Sequence, residues 1–197
     1  MSRVPPFDRS ATYEDFVRVP DHLLAEIVDG ELHANPRPAP WVASSALSLG
    51  GMLLRGLERS RDSHSWQVLP GPELHLGADI LGPALAGWRL SRLPELPATA
   101  YFSVPPDWVC EILSSGTASL RARKMAVYAG ERISHAWLID PVARALEVRR
   151  VEDGRWTVLA THVGDQVVRA EPFEALELPL GALWPRPSDD RRRPKRG

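Results

Sequence analysis

One carboxylate, Glu111, interrupts the otherwise apolar run Trp108–Val109–Cys110–Glu111–Ile112–Leu113, and no other feature constrains the fold so tightly. A glutamate inside a strand that reads as buried is costly unless it is paired or holds a cation. The next residues, SSGTASLRARKMAVY, read as a polar turn followed by a helix that presents Lys124. An ammonium arriving on that helix can pair with Glu111, or can handle a water bound to a metal. The first arrangement is a buried ion pair bracing a sheet against a helix. The second is the outline of a metal-dependent phosphodiesterase site.

The rest of the chain is long enough to build a core around that unit. Its 197 residues are 44% hydrophobic and 25% charged, in the range of one ordinary globular domain. No apolar run approaches the roughly 20 residues that span a bilayer, so no membrane association is expected. Cys110 is the only cysteine, which excludes an internal disulfide and thiolate zinc clusters. A cytoplasmic protein is the simplest reading, with Cys110 a small buried residue on the strand face opposite Glu111. The net charge of −1 hides an asymmetry. The last thirteen residues, PRPSDDRRRPKRG, hold six basic and two acidic side chains, so residues 1–184 stand at −5. That body is not a basic nucleic-acid platform. Residues 185–197 read as a basic disordered tail, and residues 1–184 as a single domain.

Local signals lay out the elements. Thr12 with Asp15 resembles a capping box opening a short helix that ends before Pro20. LLAEIVDGELHA is a hairpin turning at Asp29–Gly30. Residues 41–60 form an amphipathic helix with Ala46, Leu49, Leu53 and Leu57 on its core face, and Gly50–Gly51 marks a close packing point. Residues 65–76 read as a strand broken at Pro70–Gly71–Pro72, and 79–88 as another broken at Gly82–Pro83. A proline-rich loop over 90–107 leads to the Glu111 strand. Helix 118–129, strand 136–139, a second hairpin around Asp153–Gly154, a strand at 166–169 and a helical turn at 180–183 complete the chain. The sum is an α/β (α+β) fold: a mixed β-sheet flanked by helices, with N- and C-terminal hairpins.

Other chemistries find no support. None of the six histidines pairs with another at i,i+4, and there is no Gly-rich phosphate loop or G-x-S-x-G elbow. Trp88 and Trp108 read as core, with a groove lining as the alternative. Pro106–Asp107 followed by Glu111 imitates a nuclease acid pair. Residues four apart on one strand lie ~13 Å from each other at about 3.3 Å per residue, too far to share one ion. Asp107 therefore belongs to the start of the strand.

With its elements in this order, the chain resembles the Uma-two family, a bacterial branch of the PD-(D/E)xK nuclease superfamily classed with restriction endonucleases. The matching words are AEIVDGEL (25–32), GPELHLGADILGPALAGWR (71–89), WVCEILSSGT (108–117), RKMAVYA (123–129) and HAWLIDP (135–141). The resemblance implies a restriction-endonuclease-like core and a DNA endonuclease using Mg²⁺ or Mn²⁺, with DNA as partner and a homodimer where both strands are cut. Carried over residue by residue, Glu111 is the second metal-binding acid, with the carbonyl of Ile112 as a further oxygen ligand. Lys124 is the lysine that has moved from strand to helix, and it handles the attacking water or the developing phosphate charge. Glu26 is a glutamate beside the site. Tyr128, one turn beyond Lys124, shares its helix face and is expected to brace it.

The departures bear on activity. The family word at 83–84 is proline followed by aspartate, and this chain has Pro83–Ala84. An alanine has no oxygen for a metal, so the first ligand is missing and weak cation binding with impaired turnover is expected. Asp79 is a possible substitute ligand if Gly82–Pro83 bends the strand. The turn SSGT lacks the family's proline, and Arg121 or Ala122 stands near the place of a further family aspartate. Three readings follow: an impaired endonuclease, an inactive relative that binds DNA or a protein through the old cleft, and a plain ion pair. On this reading alone, Lys124→Ala in the Ala84→Asp background is expected to abolish cleavage and leave folding intact.

Overall fold

The chain runs α1 (Tyr13–Val17), β1 (Leu23–Val28), β2 (Glu31–Pro36), α2 (Pro40–Arg59), β3 (Trp66–Pro70), β4 (Glu73–Leu76), β5 (Asp79–Leu81), β6 (Leu85–Arg89), β7 (Tyr101–Phe102), β8 (Trp108–Ile112), α3 (Ala118–Gly130), β9 (His135–Asp140), β10 (Ala145–Glu152), β11 (Arg155–Val163), β12 (Val167–Val168), β13 (Leu178–Pro179) and a closing 3₁₀ turn, Leu180–Leu183. The structure, a computed structural model, describes residues 10–59, 66–114 and 118–184. The expected basic tail at 185–197 and the serine-rich turn at 115–117 lie outside the described residues.

Where one mixed sheet was expected, the described strands form two sheets and a ribbon. The larger sheet has the order β11-β10-β9-β8-β6-β3, the smaller β2-β1-β5-β4-β7, and β12 pairs with β13. The division arises within residues 66–89, which are one long hairpin. Trp66–Pro70 pairs with Leu85–Arg89 in the larger sheet, and Leu74–Leu76 pairs with Asp79–Leu81 in the smaller. Both arms break at the same level, Gly71–Pro72 facing Gly82–Pro83–Ala84, where the Gly71 N–H donates to the Ala84 carbonyl at 3.1 Å. Proline has no N–H for the ladder, and Gly71 takes a φ of +54° that other residues avoid. The hairpin therefore bends from one sheet into the other and leaves a gap between them.

β8 and β9 pair in parallel, joined by α3 as a crossover. Alternation along β8 then sorts its side chains. Trp108, Cys110 and Ile112 join the core under α2, with Leu49, Leu53, Leu85, Trp137 and Ile139. Val109 and Glu111 face the other way, toward a second core built from Val28, Leu74, Leu81, Trp88, Leu120 and Tyr128. Cys110 is thus buried opposite Glu111, as the alternation requires, and Trp88 and Trp108 are core residues with no exposed surface. Gly50 is the close packing point expected of it, since a Cβ there would stand 3.3 Å from Leu85 Cδ2.

The local readings hold at most element ends. Thr12 and Asp15 form a reciprocal capping box on α1. The two Asp–Gly turns place Asp29, Gly30, Asp153 and Gly154 at positive φ, as two-residue hairpins demand. β12 falls within the strand expected at 166–169, and the two pieces not legible were β7 and β13. The proline-rich loop carries β7, which pairs in parallel with β4, and Val167–Val168 finds a partner in Leu178–Pro179. Two-residue strands have no periodicity to read. Asp107 sits where the sequence put it, accepting from the Arg89 N–H at 2.8 Å and pairing with Arg92 at 2.9 Å.

Candidate active site

The gap between the sheets is closed on one side by α3, and there Lys124 ties three elements together. Its Nζ lies 2.6 Å from Glu26 Oε1 on β1 and 2.8 Å from Glu111 Oε1 on β8, and it donates to the Gly82 carbonyl at 3.2 Å. The Gly82 N–H in turn donates to Glu26 Oε1 at 2.9 Å, so the bend that carries Pro83 and Ala84 is held from both sides. The cluster is recessed. Lys124 is 5% exposed, and the two glutamate side chains are 13% exposed.

Position follows from local structure. Glu111 stands near the carboxyl end of a parallel strand, the end at which open α/β sheets place their ligand crevices. Lys124 and Tyr128 lie one helical turn apart on α3. Tyr128 braces Glu111 rather than the expected Lys124: its hydroxyl donates to Glu111 Oε1 at 2.8 Å. Glu26, expected beside the site, completes the cluster because the first hairpin packs β1 against α3. Arg123 fixes that packing. It pairs with Asp29 and Glu31 at 2.7 Å each and donates to the Val28 carbonyl at 2.7 Å. Sequence reading missed Arg123 as a clamp. A signal was available for its neighbour: Lys124 is one of only two lysines in a chain that otherwise uses arginine.

Two carboxylates share one ammonium, and the electrostatics follow. Burial raises the Glu111 carboxyl above the ordinary carboxylate range, and the Glu26 charge adds to that against the opposing pull of Lys124. Burial works against the Lys124 charge, and the two glutamates outweigh it, so the ammonium is held above its usual range. Burial and the neighbouring Glu111 keep Tyr128 a phenol and hence a donor. A carboxyl raised on folding favours the protonated form, so ionised Glu111 subtracts stability above its ordinary range. We therefore expect Glu111→Gln to leave the melting temperature within about 3 °C of the parent, since Glu26 keeps Lys124 paired. A loss of more than about 10 °C would show that the ionised Glu111–Lys124 pair is a main support of the fold.

A cavity of about 350 Å³ opens beside the cluster. It is lined by Glu26, Gly82, Pro83, Ala84, Glu111, Ile112, Arg121 and Lys124, with Leu24, Pro36, Val42, Ala43 and Ala46 on its apolar side. Ala84 presents only a methyl group to it. Asp79 does not line it; its carboxylate accepts from the Asp29 N–H at 2.7 Å and holds the hairpin turn. The possible substitute ligand is thus engaged elsewhere, because the break at Gly82–Pro83 turns β5 into the smaller sheet. Among the described residues no three of His, Cys, Asp and Glu converge as a metal cluster. The donor set still fits a hard divalent cation, which is commonly held by one or two carboxylates and water. Ala84 adds no side-chain oxygen to that set.

Comparison with known proteins gives a consistent picture. The family model Uma2, described as "Putative restriction endonuclease", matches residues 13–181. A crystal structure described as a putative nuclease belonging to DUF820, from Anabaena variabilis, superposes with a TM-score of 0.72 at 19% identity, covering 88% of this chain and 97% of that one. At that identity the likeness shows the fold. No curated protein matches the chain. No described helix is long and apolar enough to cross a membrane.

Proposed function

Since the chain belongs to the Uma2 family of "Putative restriction endonuclease" proteins, we propose that it is a divalent-metal-dependent DNA endonuclease whose turnover is held low by Ala84. The observation that carries this reading is the meeting of Glu26, Glu111 and Lys124 at the Gly82–Ala84 bend, in one cavity. These residues come from β1, β8, α3 and the β5–β6 connection, so ordinary sheet–helix bracing does not call for all of them.

Glu111 and Glu26, with the Ile112 carbonyl, are the residues that would hold Mg²⁺ or Mn²⁺, through the carboxylate oxygens not bonded to Lys124. The cation would supply Lewis-acid polarisation of the phosphate and acidify water near neutral pH. Lys124 neutralises one of the two carboxylates; its three N–H groups are taken by Glu26, Glu111 and the Gly82 carbonyl, so toward charge developing on the phosphate it would act as a nearby positive charge. Tyr128 orients Glu111 by its hydrogen bond. Arg123 keeps β1, and so Glu26, against α3. Ala84 leaves a gap where a further oxygen would close the site.

A second reading, an inactive relative that binds DNA or a protein through this cleft, is favoured by Ala84 alone. Nicking of supercoiled plasmid with Mn²⁺ or Mg²⁺, stopped by EDTA, separates the two when the parent and Ala84→Asp are compared. If both forms fail to cut, the endonuclease reading falls and the binding reading replaces it.

A further inference from the structure

We infer that the cavity takes a single unstacked nucleotide, with Arg121 on its phosphate, so that the substrate is single-stranded or frayed DNA rather than uninterrupted duplex; this rests on the endonuclease reading above.

The first ground is depth. The phosphate must reach Lys124 and Glu111, which are 5% and 13% exposed beneath the hairpin and α2. The backbone of a closed duplex is the outer surface of a wide rod and cannot enter a recess of about 350 Å³. A nucleotide swung out of the stack can, and this volume sits at the small-molecule end of binding-site sizes.

The second ground is the division of the walls. One end carries the ions. The other is mainly apolar, with Leu24, Pro36, Pro38, Val42, Ala43 and Ala46 beside one amide, Asn35. A sugar–phosphate needs the first end, and a base removed from its stack needs a desolvated wall such as the second.

The third ground is the supply of cations. Duplex binders neutralise on the order of 6–10 phosphates. Here Lys124 is the only lysine among the described residues. The arginines at 18, 92, 123, 144, 149, 150 and 169 are held in ion pairs, and those at 55, 59, 132 and 155 do not line the cavity. Arg121 lines the cavity one turn before Lys124 and has no hydrogen bond or ion pair among the described residues. Its guanidinium is the free fork at the polar end, and a phosphate accepts such a fork through two oxygens.

The test is fluorescence anisotropy in EDTA with a labelled 12-nucleotide single strand and a hairpin-capped duplex of the same sequence. The single strand should bind at least about tenfold more tightly, with a shallow salt slope of about −0.7 to −1.4 for one or two phosphates. Ala43→Trp fills the apolar wall from an exposed helix position and should bring single-strand binding down to the duplex level. Arg121→Ala should weaken it and reduce the salt slope by about 0.7. Circular dichroism of both variants reports whether they fold. Equal binding of the two probes, no measurable binding of either, or no effect of Ala43→Trp in a folded protein overturns the inference. Plasmid cleavage by Ala84→Asp in any of those cases leaves the endonuclease reading standing; no cleavage removes both.

Discussion

Ala84→Asp is expected to raise the rate of Mn²⁺-dependent plasmid nicking by about 100-fold over the parent, with EDTA abolishing the gain. The backbone at this position is already fixed, since the Ala84 carbonyl accepts from the Gly71 N–H and the bend is held by Glu26 and Lys124 through Gly82. The new side chain would enter a cavity that Glu111 and Glu26 already line. Changing even the residues that merely support metal ligands commonly alters affinity or activity about 10–100-fold, so restoring a ligand should do at least as much. A third carboxylate beside two others also carries a cost without metal, on the order of 1–2 kcal/mol of like-charge repulsion. Mn²⁺ should relieve it, because a ligand that binds only the native state adds stability by mass action. The variant should therefore melt below the parent in EDTA and gain several degrees on adding Mn²⁺, while the parent barely responds. A variant whose melting ignores Mn²⁺ and which cuts no faster would place Ala84 outside any metal site.

Lys124→Met should destabilise the fold by about 3–5 kcal/mol, read from urea unfolding. The expectation that alanine at 124 leaves the fold intact does not survive the geometry. Lys124 is buried, and its removal strands Glu26 and Glu111 against each other and leaves the Gly82 carbonyl without its donor. The sign of the pH dependence follows. With the ammonium gone, the Glu111 carboxyl loses the pull that opposed its burial and is pushed further up, so the native state binds more protons than the unfolded chain above the ordinary carboxylate range. The deficit should therefore shrink as pH falls toward that range and grow as pH rises to neutrality. Adding Glu111→Gln to Lys124→Met should recover about half of the loss, because one stranded charge disappears. Additive losses in the double variant would mean that Lys124 stabilises by packing rather than by charge.

Much of the fold is local enough to be legible in the residues. The Thr12–Asp15 capping box, the Asp29–Gly30 and Asp153–Gly154 turns, and the period of α2 each rest on neighbours a few positions apart. The Glu111–Lys124 meeting was legible for a related reason: a strand, a turn and a helix in a crossover bring one face of each together. Glu26 was reached through the family words, since no spacing links residue 26 to residue 111. The strand breaks at Gly71–Pro72 and Gly82–Pro83 were visible, but their consequence was not. Two breaks in one hairpin can make a loop, a bulge or a bend, and only the packing of both arms against different partners decides among them.

The amino-acid sequence by itself determined the elements, their turns, and the face of β8 that carries Glu111, because each depends on side-chain chemistry and short-range geometry. Only the tertiary structure decided that the 66–89 hairpin is divided between two sheets, that Asp79 is held at a turn away from the cavity, that Tyr128 serves Glu111, and that Arg123 pins the hairpin bearing Glu26. Those outcomes depend on contacts between segments dozens of residues apart, where burial of the apolar faces selects one packing and the polar groups take whichever partners that packing brings within reach.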